Sequence, residues 1–140
     1  MRDAGTFSFP ALPESLSAAR NCVRGVLQSL DRADKEMDVN IVVGEILQNI
    51  IRYGFDGGSK DGTFTIQFAA NQTDLVITVT DNAPPSDPTS WSNAHRKPEE
   101  GGHGLTLVQA IVKDVHLSML DDGNRAELHF ALQELSLIHI

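Results

Sequence analysis

Three short clusters in this 140-residue sequence carry side chains of catalytic type at meaningful spacing. The first is Glu45-Ile46-Leu47-Gln48-Asn49, continuing to Arg52-Tyr53. Positions four apart lie on one face of a helix, so Glu45, Asn49 and Tyr53 form a polar stripe. A carboxylate and an amide oxygen one turn apart suit Mg²⁺ and its waters, because this ion takes few protein oxygens and completes its shell with phosphates and water. The same stripe also suits a helix face turned to solvent. The second cluster is Asp81-Asn82-Ala83-Pro84-Pro85-Ser86-Asp87-Pro88, at the end of an apolar run. An acid at a strand terminus ahead of a rigid turn can accept a hydrogen bond from the exocyclic amine of a base. Asp is equally a common turn former. The third is Gly101-Gly102-His103-Gly104-Leu105, running into Leu107-Val108-Gln109-Ala110-Ile111. Glycines before a helix expose backbone N–H groups to an anion at the positive helix end. The eight-residue P-loop pattern and the dinucleotide fingerprint are both absent.

The elements that must position these clusters follow from periodicity. Thr6–Phe9 reads as a short strand closed by Pro10. Pro13-Glu14-Ser15 opens a helix in which Leu16, Ala19, Val23, Val26, Leu27 and Leu30 recur at three- and four-residue steps. Cys22 sits beside that stripe as a small hydrophobe. A second helix runs from about Ala33 to Arg52 and is stopped by Gly54; Val39, Val42, Val43, Ile46, Leu47, Ile50 and Ile51 make it largely apolar, which predicts deep burial. Asp56–Gly62 is a glycine-rich turn. Thr63–Ala69 and Leu75–Thr80 read as strands joined by Asn71–Asp74. Asp81–Gly102 has no periodicity, and loops of that length usually have a function. Leu105–Val112 is a third helix. Val115–Leu120 and Ala126–Leu132 are a closing hairpin around Asp121-Asp122-Gly123-Asn124. The order predicts a single domain over 1–140: an α/β two-layer sandwich with helices on one face of a mixed, mostly antiparallel sheet.

Composition narrows the function classes. A chain of this length buries roughly two-thirds of its unfolded surface without staples. Hydrophobic residues are 41% and charged residues 21%, which is ordinary globular composition. The formal charge of −8 argues against nucleic acid and against an anionic membrane surface. No run reaches the length of a membrane span, and the first residues lack a signal-peptide core, so a cytoplasmic location is expected. One cysteine cannot form an internal disulfide, and His95, His103, His116, His129 and His139 lack zinc spacing.

Taken together and in this order, the three clusters resemble the Bergerat ATP-binding fold of gyrase, Hsp90-type chaperones, histidine kinases and MutL. Glu45-x-x-x-Asn49 is similar to its N box, Asp81-Asn82-Ala83-Pro84 to its first glycine box, and Gly101–Leu105 to its second. The length, the segment Glu45–Phe55, the proline-rich turn Pro84–Pro88 and the turn Asp122-Gly123-Asn124-Arg125 resemble the anti-sigma factor serine/threonine kinase family in particular, from Thr6 to about Leu132. The chain departs from that family at Tyr53, where His is usual, and at Ala83, where Gly is usual; alanine adds a methyl group and resists positive φ.

The resemblance implies ATP and Mg²⁺ as cofactors. Asn49 would hold Mg²⁺, Glu45 would act catalytically on the attacking serine hydroxyl, and Asp81 would accept the adenine amine. Tyr53, Ala83, Gly101, Gly102, His103, Gly104 and Leu105 would complete the nucleotide site, with about 85–100 as a lid containing Trp91 and the candidate phosphate ligands Arg96 and Lys97. The implied protein partners are a STAS-domain anti-sigma factor antagonist and a sigma factor or other regulator, and the resemblance implies a homodimer with no nucleic-acid or membrane partner. The tail Leu135–Ile140 suits either a dimer contact or a frayed end. Two alternatives remain open: a non-catalytic ATP-binding partner-switch module, favoured by Tyr53 and Ala83, and a stand-alone histidine-kinase-like catalytic domain.

Overall fold

The computed structural model describes residues 1–86 and 104–132. The elements are β1 (Arg2–Ala11), α1 (Ser15–Ser29), a 3₁₀ turn (Ala33–Lys35), α2 (Glu36–Asn49), a π turn (Ile50–Gly54), β2 (Ser59–Ala70), β3 (Asp74–Asp81), α3 (Gly104–Ile111), β4 (Asp114–Leu120) and β5 (Gly123–Ala131). The five strands form one sheet in the order β1-β2-β3-β5-β4, and every pairing is antiparallel. The expected mixed sheet therefore has no parallel pair among the described strands. The strand β5 inserts between β3 and β4, so the last hairpin completes one end of the sheet, with β4 at its edge.

Strict alternation builds the core. Phe64, Ile66 and Phe68 of β2, Leu75, Ile77 and Val79 of β3, and Ala126, Leu128 and Phe130 of β5 all point to the helix side and are buried. Helix α1 brings Ala19, Val23, Val26 and Leu27 against them, and α2 brings Val39, Val42, Val43, Ile46 and Leu47. The opposite sheet face is polar. On it Glu127 accepts hydrogen bonds from Arg125 (3.0 Å) and His129 (2.7 Å), and these partners hold its carboxyl below the usual range.

The helix boundaries have local causes. Ser15 is buried at the start of α1 and donates its hydroxyl to the Pro10 carbonyl at 2.7 Å, tying the end of β1 to the helix. The far end closes with Arg32 N–H on the Leu27 carbonyl (2.7 Å) and Asp31 N–H on Gln28 (3.1 Å), with Asp31 at φ 57°. Asp takes the left-handed position that glycine fills more often. Arg24 on α1 grips Glu36 at the start of α2 through both carboxylate oxygens, each at 3.2 Å.

Several sequence expectations need correction. The strands are longer than expected: β1 spans Arg2–Ala11, and β2 begins at Ser59, inside the proposed turn Asp56–Gly62. The expected second helix is three pieces, a 3₁₀ turn, α2 and a π turn. It is not buried all round, because Met37, Ile41 and Gln48 are exposed. Cys22 is half-buried, and burial pushes its thiol pKa up. Gly123 and Asn124 belong to β5, leaving Asp121-Asp122 alone as the hairpin turn.

Candidate active site

The alternation that buries β3 carries Asp81 to the same face as Leu75, Ile77 and Val79, at the strand's end. It likewise carries Asn124 to the face of Ala126, Leu128 and Phe130 on β5. The two residues are direct cross-strand partners. Asn124 donates through Nδ2 to Asp81 Oδ1 at 3.0 Å, and Ala83 N–H donates to the same oxygen at 2.9 Å. Both of these hydrogen bonds fall on Oδ1, and the Asn124 backbone N–H is a weaker further influence on the carboxyl. Burial pushes the Asp81 carboxyl pKa up, while the Asn124 and Ala83 hydrogen bonds pull it back. Beside the pair lies a small cleft lined by Ile50, Val79, Leu117, Ser118 and Ala126, with Ser86 and Arg125 at it. Its lining is mixed, with Ile50, Val79, Leu117 and Ala126 apolar and Asp81, Ser86, Ser118, Asn124 and Arg125 polar, and its space is about that of one water molecule.

The backbone permits this packing because two positions lack a side chain. A Cβ on Gly123 would fall 1.8 Å from the Asp81 carbonyl oxygen. The start of β5 touches the end of β3 only because residue 123 is glycine. A Cβ on Gly54 would lie 3.0 Å from the Ala83 methyl group. Ala83 is 1% exposed and does not line the cleft. Its φ is not positive, since Asp31 and Asp56 are the non-glycine residues with positive φ among those described. The alanine in the first glycine-box position is thus accommodated against Gly54, and its methyl takes no space from the cleft. Asn82 has a structural part: its Oδ1 accepts Thr63 N–H at 2.8 Å, extending the β2–β3 pairing past the strand end.

The N-box residues sit elsewhere on the molecule. Glu45 is half-buried and lines a broad open groove with Arg20, Asp34, Glu36, Met37 and Ile41, between the outer faces of α1 and α2. The sequence reading treated it as a carboxylate on a deeply buried helix; the groove is open to water, so its charge needs no buried partner. Asn49 ends α2, is half-buried, and its side chain makes no hydrogen bond among the described residues. Its neighbour Ile50 lines the Asp81 cleft, so the end of α2 joins the two regions. The common face of Glu45, Asn49 and Tyr53 holds for the first two only. Tyr53 falls in the π turn, whose wider period departs from the four-residue repeat. It is 39% exposed, with the Arg52 guanidinium 5.9 Å from its ring centre.

Gly104 and Leu105 open α3 through their backbone, and α3 packs against α2. Gly101, Gly102 and His103 lie outside the described residues, as do Trp91, Arg96, Lys97, the tail Leu135–Ile140 and all of the proposed lid except Pro85 and Ser86.

The profile of the histidine kinase-like ATPase domain matches residues 9–131. The chain belongs to that family. Among curated proteins it is similar to serine-protein kinase RsbW of Listeria monocytogenes (strain EGD-e), 28% identical over 138 residues, covering 88% of this chain and 83% of the relative. It is also similar to serine-protein kinase RsbW of Bacillus licheniformis, 25% identical, covering 81% and 76%. Solved structures of like fold include the RsbU and RsbW domains of Rv1364c from Mycobacterium tuberculosis, with TM-score 0.61 and 15% identity over 90% of this chain and 31% of that one. The catalytic domain of histidine kinase ThkA follows, with TM-score 0.58 and 13% identity over 93% and 99%. The Bergerat-type resemblance read from the three boxes agrees with these findings. Family membership implies use of ATP.

The residues fit the implied groups. An amide oxygen without a hydrogen-bond partner among the described residues, one turn after a carboxylate, matches the hard oxygen donors that Mg²⁺ prefers. Among the described residues no cluster of three His, Cys, Asp or Glu forms a closed metal site, so such an ion would depend on nucleotide phosphates for its other ligands. No helix among the described residues is long and apolar enough to cross a membrane.

The sequence reading missed Asn124. A signal was present: Asn124 is in phase, at two-residue steps, with Ala126, Leu128 and Phe130, and an amide in a core-facing series needs partners. Assigning it to the hairpin turn hid that phase.

Proposed function

We propose that the chain is an ATP-dependent serine/threonine protein kinase that phosphorylates a STAS-type antagonist and sequesters a sigma factor or similar regulator. The carrying observation is the Asp81 carboxylate, fixed at one oxygen by Ala83 and Asn124, beside a small cleft that Ile50 joins to the end of α2. In this reading Asp81 accepts the adenine amine and selects adenine over guanine. Asn49 holds Mg²⁺ through its amide oxygen, and that ion supplies charge neutralisation on the phosphates. Glu45, one turn away on the open groove, orients the incoming serine hydroxyl and takes its proton. Phosphoryl transfer needs positioning more than covalent chemistry from the protein, so two well-placed side chains suffice. The open groove at Glu45 leaves room for a second protein to present its serine. The names of the RsbW relatives support this choice of substrate residue.

The non-catalytic alternative keeps Tyr53 in its favour but loses Ala83, whose methyl group packs on Gly54 away from the cleft. Incubation with labelled ATP, Mg²⁺ and a STAS protein encoded nearby, followed by phosphosite mapping, tests the proposal. Phosphate on one serine of the partner is expected. ATP and partner binding without any transfer would establish the non-catalytic module instead.

A further inference from the structure

Asn124 is 8% exposed, the buried polar side chain of the described sheet. With so little of it exposed, its protein partners define its role. Its Oδ1 accepts Ser86 N–H at 2.9 Å. A backbone N–H only donates, which fixes the orientation of the amide and turns Nδ2 toward two acceptors, Asp81 Oδ1 at 3.0 Å and the Pro84 carbonyl at 3.2 Å. One side chain thus uses both donors and its oxygen, joining β5, the end of β3 and the turn that follows it.

No other residue type does this. Leucine would strand Ser86 N–H and the Pro84 carbonyl. Aspartate would keep the Ser86 bond but set two carboxylates about 3 Å apart, where both resist ionising together. Asparagine also favours the charged form of Asp81 against the burial that opposes it.

We propose that Asn124 is the positioning residue for purine specificity: it clamps Asp81 through Oδ1, reserves Oδ2 for the exocyclic amine, and fixes the Pro84–Ser86 backbone at the rim of the cleft. This rests on the reading of Asp81 as the base acceptor. Asn124 itself touches no base in this scheme; it acts through Asp81. Arg125 is the other charged group lining the cleft, and it is engaged by Glu127 on the opposite sheet face.

Calorimetry with Mg-ATP and Mg-ITP tests the assignment, because inosine carries a carbonyl where adenine carries the amine. The variants are Asn124→Ala and the near-isosteric Asn124→Asp, which keeps the Ser86 acceptor should the alanine variant fail to fold. Wild type is expected to prefer ATP by about tenfold or more, the cost of a lost hydrogen bond to a charged group. In both variants that ratio falls toward one, mainly through weaker ATP binding. A carbon-detected NMR titration of nucleotide-free protein is expected to show the Asp81 carboxyl titrating at higher pH in both. Equal weakening of ATP and ITP with the Asp81 titration unmoved would reduce Asn124 to a fold-holding residue and overturn the proposal. Wild type without a preference for ATP would instead overturn the reading of Asp81, and this inference with it.

Discussion

The Asp81–Asn124 corner and the Glu45–Asn49 face are built on opposite plans. At the corner, three donors converge on two side chains, a small cleft adjoins them, and a glycine lets the two strands touch. On the helix face, the carboxylate and the amide stand half-exposed without hydrogen bonds among the described residues. The first region is organised by the protein itself. On the proposed function, the second is organised only when phosphates, a cation and a substrate hydroxyl arrive. Preorganisation at the base costs nothing at each turnover, whereas an open reacting face lets a whole protein approach.

The sharpest way to break this comparison is to remove Glu45. General-base or orienting work is typically worth about 10²–10⁴-fold in rate. Glu45→Ala should lose that factor in transfer while ATP affinity stays within a few-fold, read by phosphate incorporation beside calorimetry. Asn49→Ala should lose Mg²⁺-dependent ATP binding and transfer together. A Glu45→Ala variant with wild-type transfer would place the reacting face elsewhere.

Asp81→Asn comes next, and it should move binding and stability in opposite directions. ATP affinity should fall about tenfold or more with the charged acceptor gone. Stability should rise at neutral pH. Burial raises the folded-state pKa of Asp81, so the folded protein binds this proton more tightly than the unfolded chain, and stability falls as pH rises through that pKa. Asparagine removes the penalty. Melting temperatures should therefore favour the variant at pH 7 and converge with wild type as pH drops through the raised pKa. A gap constant with pH would show that the charge is not the cause.

The glycine contact gives a smaller effect. Gly123→Ala places a methyl group on the Asp81 carbonyl and should lower stability by at least about 1–3 kcal/mol, with ATP affinity reduced as β3 and β5 separate. Gly54→Ala meets only the Ala83 methyl at 3.0 Å and should cost less, below about 1.5 kcal/mol, with stability restored by the double change Gly54→Ala, Ala83→Gly. Chemical denaturation of the four proteins checks both claims.

Much of this was legible in the residues, for reasons that also explain the gaps. Core positions on β2, β3 and β5 follow strict alternation, so the apolar series itself announced them. Glu45 and Asn49 lie in a regular α-helix, where four-residue spacing fixes a shared face. Tyr53 escaped because nothing in Ile50–Gly54 signals a π turn. Ala83 was read as an intrusion because its neighbour in space, Gly54, is distant in sequence. Asn124 was hidden by a turn motif whose last two residues are already strand. The Ala83 miss concerns a contact between elements far apart in the chain, which local pattern does not encode, whereas the Tyr53 and Asn124 misses concern where a local element changes its period.

The insertion of β5 between β3 and β4 also sets an order of events during synthesis. Asp81 leaves the ribosome 43 residues before the amide that steadies it. Until then β3 is the sheet's outer strand, with Leu75, Ile77 and Val79 unpaired by β5. If the Asp81–Asn124 corner holds the nucleotide as proposed, a nascent chain long enough to hold α1, α2 and β1–β3 still lacks a finished pocket, and ATP cannot rescue it from proteolysis or misfolding. Ligand protection begins only once the final hairpin has emerged and closed a long loop, the slow kind of contact in sheet folding.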